Sequence, residues 1–362
     1  MSVELLNFIE TVLNGLMSGV MYSLVALGFV LIFKASGVFN FAQGVFALFA
    51  ALTLVGFQTG QIPFSHLINE LFGTNLHNWY PSLHSFLAIL LTIVTMIILA
   101  WLVERLVLRH LVNQEPIILF MATIGLAFVL EGVGDLMWGS DVKVLDVGIP
   151  SGGSIWLEEA TIGWASQGSE YYGMYIDVLN VWATLIAIIL VTALALFSQY
   201  TKTGRALRAV ADDHQAALSV GISLRSIWIL VWGISGFIAM VAGIMWGTES
   251  GVQFSLSLIA LKALPVLILG GFTSIPGAII GGLLIGVGEK LAEIYIGGLL
   301  DIGAIENWFA YVLALVFLLF RPQGLFGDKI IAVSYTHLRA HETREDRGCP
   351  GVRLKKKGGG GG

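Results

Sequence analysis

Nine apolar blocks, most of them about as long as a bilayer-crossing helix requires, divide this chain. They run Ile9–Phe33, Phe39–Phe57, Ser85–Leu108, Pro116–Trp138, Asp177–Gln199, Ser226–Gly247, Leu256–Gly271, Pro276–Ile296 and Gly303–Phe320. A hydrocarbon core of about 30 Å needs roughly 20 apolar residues in a helix. Lipid offers no hydrogen-bond partner to an open backbone, so such blocks must be helical. The expected fold class is therefore all-α, a polytopic membrane helical bundle with about 8–9 transmembrane segments. Composition agrees. Hydrophobic residues make up 56% of the 362, and charged residues only 12%, about half the share in an ordinary soluble domain. Pro116 and Pro276 fall where a first helical turn tolerates proline. Leu256–Gly271 is short and contains Pro265, which predicts a broken or re-entrant segment.

The few charges set the orientation. Arg105 and Arg109 lie in the turn 105–115 at the end of the third block, Lys202, Arg205, Arg208 and Arg225 lie between the fifth and sixth, and Arg321 and Lys329 follow the last. The stretch 57–84 has no Lys or Arg, and 139–176 has only Lys143 beside Asp141, Asp146, Glu158, Glu159 and Glu170. Lys and Arg resist translocation, so basic loops stay cytoplasmic. Threading nine spans makes every basic loop cytoplasmic and every acidic one external, with the N-terminus outside and the C-terminus inside. The first Lys or Arg is Lys34, which argues against a cleaved signal peptide. The single cysteine, Cys349, permits no internal disulfide.

Character changes near Ile331. Residues 1–331 read as a transmembrane domain, and 332–362 as a tail unrelated to it. The tail begins near Val333-Ser334-Tyr335-Thr336-His337, which resembles an in-frame translated sequencing adapter. It ends in three lysines and five glycines, as a homopolymer run in the DNA would encode. A sequencing or assembly artefact is the expectation, with a disordered basic tail as the alternative.

Small residues recur four apart at Gly15/Gly19, Gly243/Gly247, Gly277/Gly281 and Gly282/Gly286. That spacing lets helix backbones approach closely in lipid. Gly286-Val287-Gly288-Glu289-Lys290 has a superficial likeness to a phosphate loop. A true one needs four residues between its glycines and Ser or Thr after the lysine, whereas Leu291 follows here. Nucleotide binding by this chain is excluded on that ground, and no cofactor is expected in it. No Cys/His spacing suggests a metal, no nucleophile–base pair suggests an enzyme, and nothing points to nucleic acid. Glu131, Asp135, Lys262 and Glu289 fall inside apolar blocks. A charge in the membrane costs enough that it marks a cavity, a partner or a pathway, unless it lies near an interface that water reaches. Between the fifth and sixth blocks, Gln215-Ala216-Ala217 followed by Gly221 gives Q-A-A-x-x-x-G, a short helix with small faces and a glycine able to end it.

Four stretches together carry a resemblance: Asn14–Gly44, Thr123–Gly139, Leu269–Gly286 and Arg321–Gly327, the last reading RPQGLFG. They look like the permease subunits of branched-chain amino acid ABC importers, over about residues 5–330. The resemblance implies a homologous second permease subunit, two cytoplasmic ABC ATPases that hydrolyse the ATP, and a periplasmic substrate-binding protein. It implies a multi-pass protein of the bacterial inner membrane, surrounded by lipid. Q-A-A-x-x-x-G matches the family's E-A-A-x-x-x-G coupling loop, which assigns ATPase coupling to Gln215, Ala216, Ala217 and Gly221. The signature N-F-A-H/Q-G stands as Asn40-Phe41-Ala42-Gln43-Gly44. Asn40, Gln43, Glu131 and Lys262 are the candidate translocation-path residues. An alternative is the same ABC permease role for urea or short amides. A secondary transporter driven by an ion gradient is a further alternative, disfavoured by the coupling loop and by the lack of acidic or histidine relays along successive spans.

Overall fold

The computed structural model describes residues 2–61, 63–73, 83–111, 114–150, 158–159, 161–162, 165–167, 170–212, 214–301 and 303–326. The tail 332–362, the boundary at 331 and Lys329 lie outside the described residues.

All nine apolar blocks are helical. The described helices are α1 (Val3–Ser36), α2 (Gln43–Thr59), a short external α3 (Ser65–Phe72), α4 (Ser85–Leu106), α5 (Pro116–Trp138), α6 (Val178–Tyr200), α7 (Lys202–Asp212), α8 (His214–Ser219), α9 (Leu224–Ser250), α10 (Ile259–Gly270), α11 (Ile275–Leu291) and α12 (Glu306–Phe320). A π-helical turn, Ala292–Gly297, and the single turn Gly298–Leu300 extend α11. Among the described residues, six helices are long and apolar enough to cross a membrane, and α2, α10 and α12 are shorter apolar ones. A small antiparallel hairpin, β1 (Ala165–Gln167) with β2 (Glu170–Tyr172), lies between α5 and α6. Its register pairs Ser166 with Tyr171. Neither α3 nor the hairpin belongs to an apolar block.

Helix α1 is the hub. It packs against α11, α9, α6 and α10, and every residue from Met21 to Ile32 is buried. A helix that is apolar all round belongs inside a bundle. Ser2 caps its start, with its hydroxyl accepting from Leu5 N–H, and Gly37 closes its end at φ 68°. The recurring small residues sit at the crossings. A Cβ on Gly19 would stand 2.7 Å from the Gly282 carbonyl oxygen and 2.8 Å from Leu283 Cα. Ser23 donates across the same seam to the Ile279 carbonyl at 3.1 Å. Gly270 and Gly277 meet backbone to backbone between α10 and α11, and Gly243 of α9 rests on Ala47 of α2.

The segment expected to be broken is broken. Gly251 turns at φ 78°. Val252 then pairs with Lys143 through two backbone hydrogen bonds of 3.0 and 2.8 Å. One 3-10 turn, Phe254–Leu258, precedes α10. The 12 residues of α10 reach only about 18 Å. Within it, Pro265 has no N–H for the carbonyl of Leu261. The Tyr311 hydroxyl of α12 donates to that carbonyl at 2.8 Å. The end of α10 is satisfied in a similar way: Leu325 N–H reaches the Leu269 carbonyl at 2.8 Å, and Phe326 N–H the Gly270 carbonyl at 3.2 Å. The RPQGLFG stretch therefore caps a half-length helix.

Helix ends sort into two sets. On the side read as external, Glu10 accepts from Tyr175 N–H at 3.2 Å, Gln58 donates to the Asp146 carbonyl at 2.8 Å, and Lys290 pairs with Glu306 at 2.8 Å. On the other side, Arg225 faces Glu104 at 3.9 Å, and the chain end at Leu325 and Phe326 meets the end of α10.

Candidate functional site

Asn40 and Gln43 come together in the interior. Both are fully buried, so each polar atom needs a partner. Asn40 Oδ1 accepts from Ala42 N–H at 3.1 Å, and its amide donates to Gln43 Oε1 at 3.3 Å. Gln43 Nε2 donates to the Ser235 carbonyl at 3.1 Å. The Ser235 hydroxyl lies 2.7 Å from Gln43 Oε1 and 3.2 Å from the Gly28 carbonyl. Thr123 Oγ1 sits 3.2 Å from both Phe41 N–H and the Phe39 carbonyl. The cluster ties α1, α5 and α9 to the start of α2. Ser235 and Gly28 gave no sequence signal of this role, because a lone Ser or Gly in an apolar helix is commonplace.

Lys262 and Glu289 also meet. Lys262 Nζ is 3.9 Å from Glu289 Oε1, with side-chain exposures of 34% and 2%. The pair joins half-length α10 to α11, near the hub. Intramembrane charge is tolerated here by pairing.

Glu131 is different. It lies 16 residues into α5, a helix of 23 residues, about 22 Å from its start. It is half-buried on one edge of an outward arc, beside exposed Asp135. The rest of that arc holds Ile117, Ile118, Met121, Gly125, Phe128, Val129, Gly132 and Leu136. A Cβ on Gly125 or Gly132 would meet nothing within 4 Å, so these glycines leave the α5 backbone open to an outside surface. The outward faces of α4 and α6 contrast with this one. Along α4 they present Phe86, Leu90, Val94 and Ile97, and along α6 Trp182, Leu185, Ile188 and Ile189. Helix α6 has no Asp, Glu, Lys, Arg or His, and α4 has such residues only at Glu104 and Arg105, in its last turn. Those two faces suit lipid, whereas a charge with exposed glycines suits water or protein.

The Q-A-A-x-x-x-G segment forms α8 and its exit. Gly221 sits at φ 84°, Gly221 N–H reaches the Leu218 carbonyl at 3.0 Å, and Ile222 N–H reaches the Ala217 carbonyl at 3.0 Å. That pair of bonds is a Schellman termination, which favours glycine at this position. Ala217 turns inward and is 2% exposed, whereas Leu218 is 53% and Val220 73% exposed. Ala216 is also on the outside. The Gln215 side chain lies outside the described residues. Sequence reasoning missed Leu218 and Val220, because six residues are too few for a helical period to show which face points out.

Among the described residues, no group of three or more His, Cys, Asp or Glu could hold a metal ion.

Comparisons with known proteins agree with this architecture. A family model described as "Branched-chain amino acid transport system / permease component" matches residues 11–321. The chain is 28% identical over 338 residues to the high-affinity branched-chain amino acid transport system permease protein LivH of Escherichia coli K12, covering 90% of this chain and 98% of that protein. It is 26% identical over 333 residues to the corresponding permease protein BraD of Pseudomonas aeruginosa, covering 90% and 97%. A probable LivH permease protein of the archaeon Methanocaldococcus jannaschii is 28% identical over 310 residues, covering 84% and 88%. The match takes in the hub helix, the half-length α10, the α5 arc and the α8 turn, and the chain belongs to the branched-chain amino acid transport system permease component family.

Proposed function

We propose that this chain is the inner-membrane permease subunit of an ATP-driven ABC importer, and that it forms one wall of the path for branched-chain amino acids. The observation that carries the reading is the outward arc of α5, which combines Glu131, Gly125 and Gly132. An ionisable group at that depth calls for water or a partner. A second, homologous permease packed toward the open glycines leaves an aqueous seam beside Glu131. Lys262, partly exposed and paired with Glu289, borders the hub and supports the half-length helix. Asn40 and Gln43 act from the interior, by fixing where α5 and α9 stand relative to α1.

Energy comes from two partner ATPases that hydrolyse ATP on the cytoplasmic side, and a periplasmic binding protein delivers the substrate. The ATPase dock is the exposed side of α8, with Leu218 and Val220 beside Ala216 and Gln215. Ala217 and Gly221 hold its inward packing and its turn. The chain beyond Ile331 lies past the family match at residue 321, and we assign it no transport role.

The test is uptake into vesicles carrying the whole complex, with labelled leucine, urea and acetamide offered alongside the binding protein. ATP-dependent accumulation of leucine is expected, without matching accumulation of urea or acetamide. A preference for urea or acetamide would move the chain to the amide-type reading. Uptake driven by an ion gradient without ATPases would remove it from the ABC class.

A further inference from the structure

A cavity of about 580 Å³ opens where α1, α6 and α11 reach the side read as cytoplasmic. Two cationic side chains line it, Lys34 from the last turn of α1 and Arg208 from α7. Arg208 is steadied by donation from one guanidinium nitrogen to the Gln199 carbonyl at 3.2 Å, one of the five N–H donors an arginine carries. Among the described residues, Lys34 has no salt-bridge partner. The N-terminus of the 17-residue helix α11, capped by Ser274, faces the same space, and its dipole adds to the positive field. Asp212 is the one acidic group in the lining, and it lies on the exposed side of α7. The remaining walls combine apolar side chains, Phe33, Ile279, Pro276 and Phe326 among them, with the polar Ser198, Gln199, Thr273 and Ser274.

On the threading read from the charges, the ends of α1 and α6 that line the cavity are the cytoplasmic ends of spans. The cavity adjoins the outward face of α6, where Leu196 and Tyr200 are exposed and suit lipid. A pocket with cationic groups at its head, partly apolar walls and a flank toward the inner leaflet matches an anionic lipid. The negative lipids of that leaflet attract basic residues near its surface, and basic pockets between transmembrane helices on that side hold their head groups. The size falls within the usual range for a small-molecule site, about 300–1,000 Å³. We propose that this pocket binds the phosphodiester head group of an anionic phospholipid, held between Lys34 and Arg208 with an acyl chain along α6.

The test uses the full chain in nanodiscs of mixed phosphatidylglycerol and phosphatidylcholine, followed by release and native mass spectrometry of the lipid that stays bound. Wild type should retain phosphatidylglycerol over phosphatidylcholine. Each basic residue near a membrane surface is worth about fivefold in binding, so Lys34→Gln with Arg208→Gln should weaken retention about 25-fold. Lys34→Arg should keep it. If the double variant does not insert, wild type against Lys34→Arg and the lipid preference of wild type still decide. No preference in wild type, or an unchanged preference in the double variant, overturns the proposal. Displacement by inorganic phosphate would mark a free-anion site and overturn it. Expulsion of the lipid when ATPase subunits bind would assign the pocket to a protein partner and overturn it too.

Discussion

Replacing Gly19 by alanine adds one methyl group at the seam between α1 and α11. Its Cβ would be 2.7 Å from the Gly282 carbonyl oxygen and 2.8 Å from Leu283 Cα. Ordinary contact needs more than half an ångström beyond that. Both facing atoms are backbone, so no rotamer change relieves them and the two helices must separate. Overpacking of this kind costs about 1–3 kcal/mol. Alanine returns up to about 1 kcal/mol over glycine in helix propensity. The net expectation is a loss of up to about 2 kcal/mol. Gly233→Ala in α9 is the control, because a Cβ there meets nothing within 4 Å. It gains the propensity without the clash and should be neutral or slightly stabilising. Unfolding both variants by denaturing detergent, followed by tryptophan fluorescence, should separate them by the clash alone, about 1–3 kcal/mol, since the propensity gain is common to both. Equal stability, or a more stable Gly19→Ala, would show that the α1–α11 seam is not tightly packed, and would refute the account of the hub.

Four further outcomes follow from other parts of the fold. Tyr311→Phe strands the Leu261 carbonyl opposite Pro265, and should cost about 1 kcal/mol in the same unfolding assay, with no change in helix content by circular dichroism. Leu218→Ser with Val220→Ser should reduce ATPase retained on co-purification while leaving the isolated permease as stable as wild type. Gly221→Val should lower permease stability by about 1–2 kcal/mol, because its φ is left-handed; equal ATPase retention in all of these would make α8 a plain connector. A cysteine at Glu159, in a Cys349→Ser background, should react with an impermeant reagent from outside the cell and one at Arg208 should not. The reverse pattern would overturn the threading.

The spans were legible because lipid leaves the backbone no alternative to helix, so the apolar blocks alone mark them. Boundaries moved where polar residues extend a helix past the apolar core. Helix α1 starts at Val3 rather than Ile9, because Ser2 caps it and Glu10 finds Tyr175 outside the membrane core. The break before α10 was visible in Pro265 and a short block. That Tyr311 would supply the missing hydrogen bond was not, since it comes from 46 residues away in sequence. Glu131 stood out by its charge, whereas its outward orientation needed the packing of its neighbours. The motif around Asn40 and Gln43 was recognisable as a string, but its partners Gly28, Thr123 and Ser235 are assembled only by tertiary contact. In α8 the glycine signalled the turn, and the inward direction of Ala217 became visible only against α9.

The location of the path is the central claim, and a tryptophan on the open arc of α5 tests it most directly. Gly132→Trp places an indole where no atom stands within 4 Å of a Cβ in this chain, so the isolated subunit should fold and insert normally. In the assembled importer it should obstruct the seam and abolish ATP-driven leucine uptake. Ile189→Trp, on the exposed apolar face of α6, should transport as wild type does. Undiminished uptake by Gly132→Trp with its partners retained would contradict a path along α5.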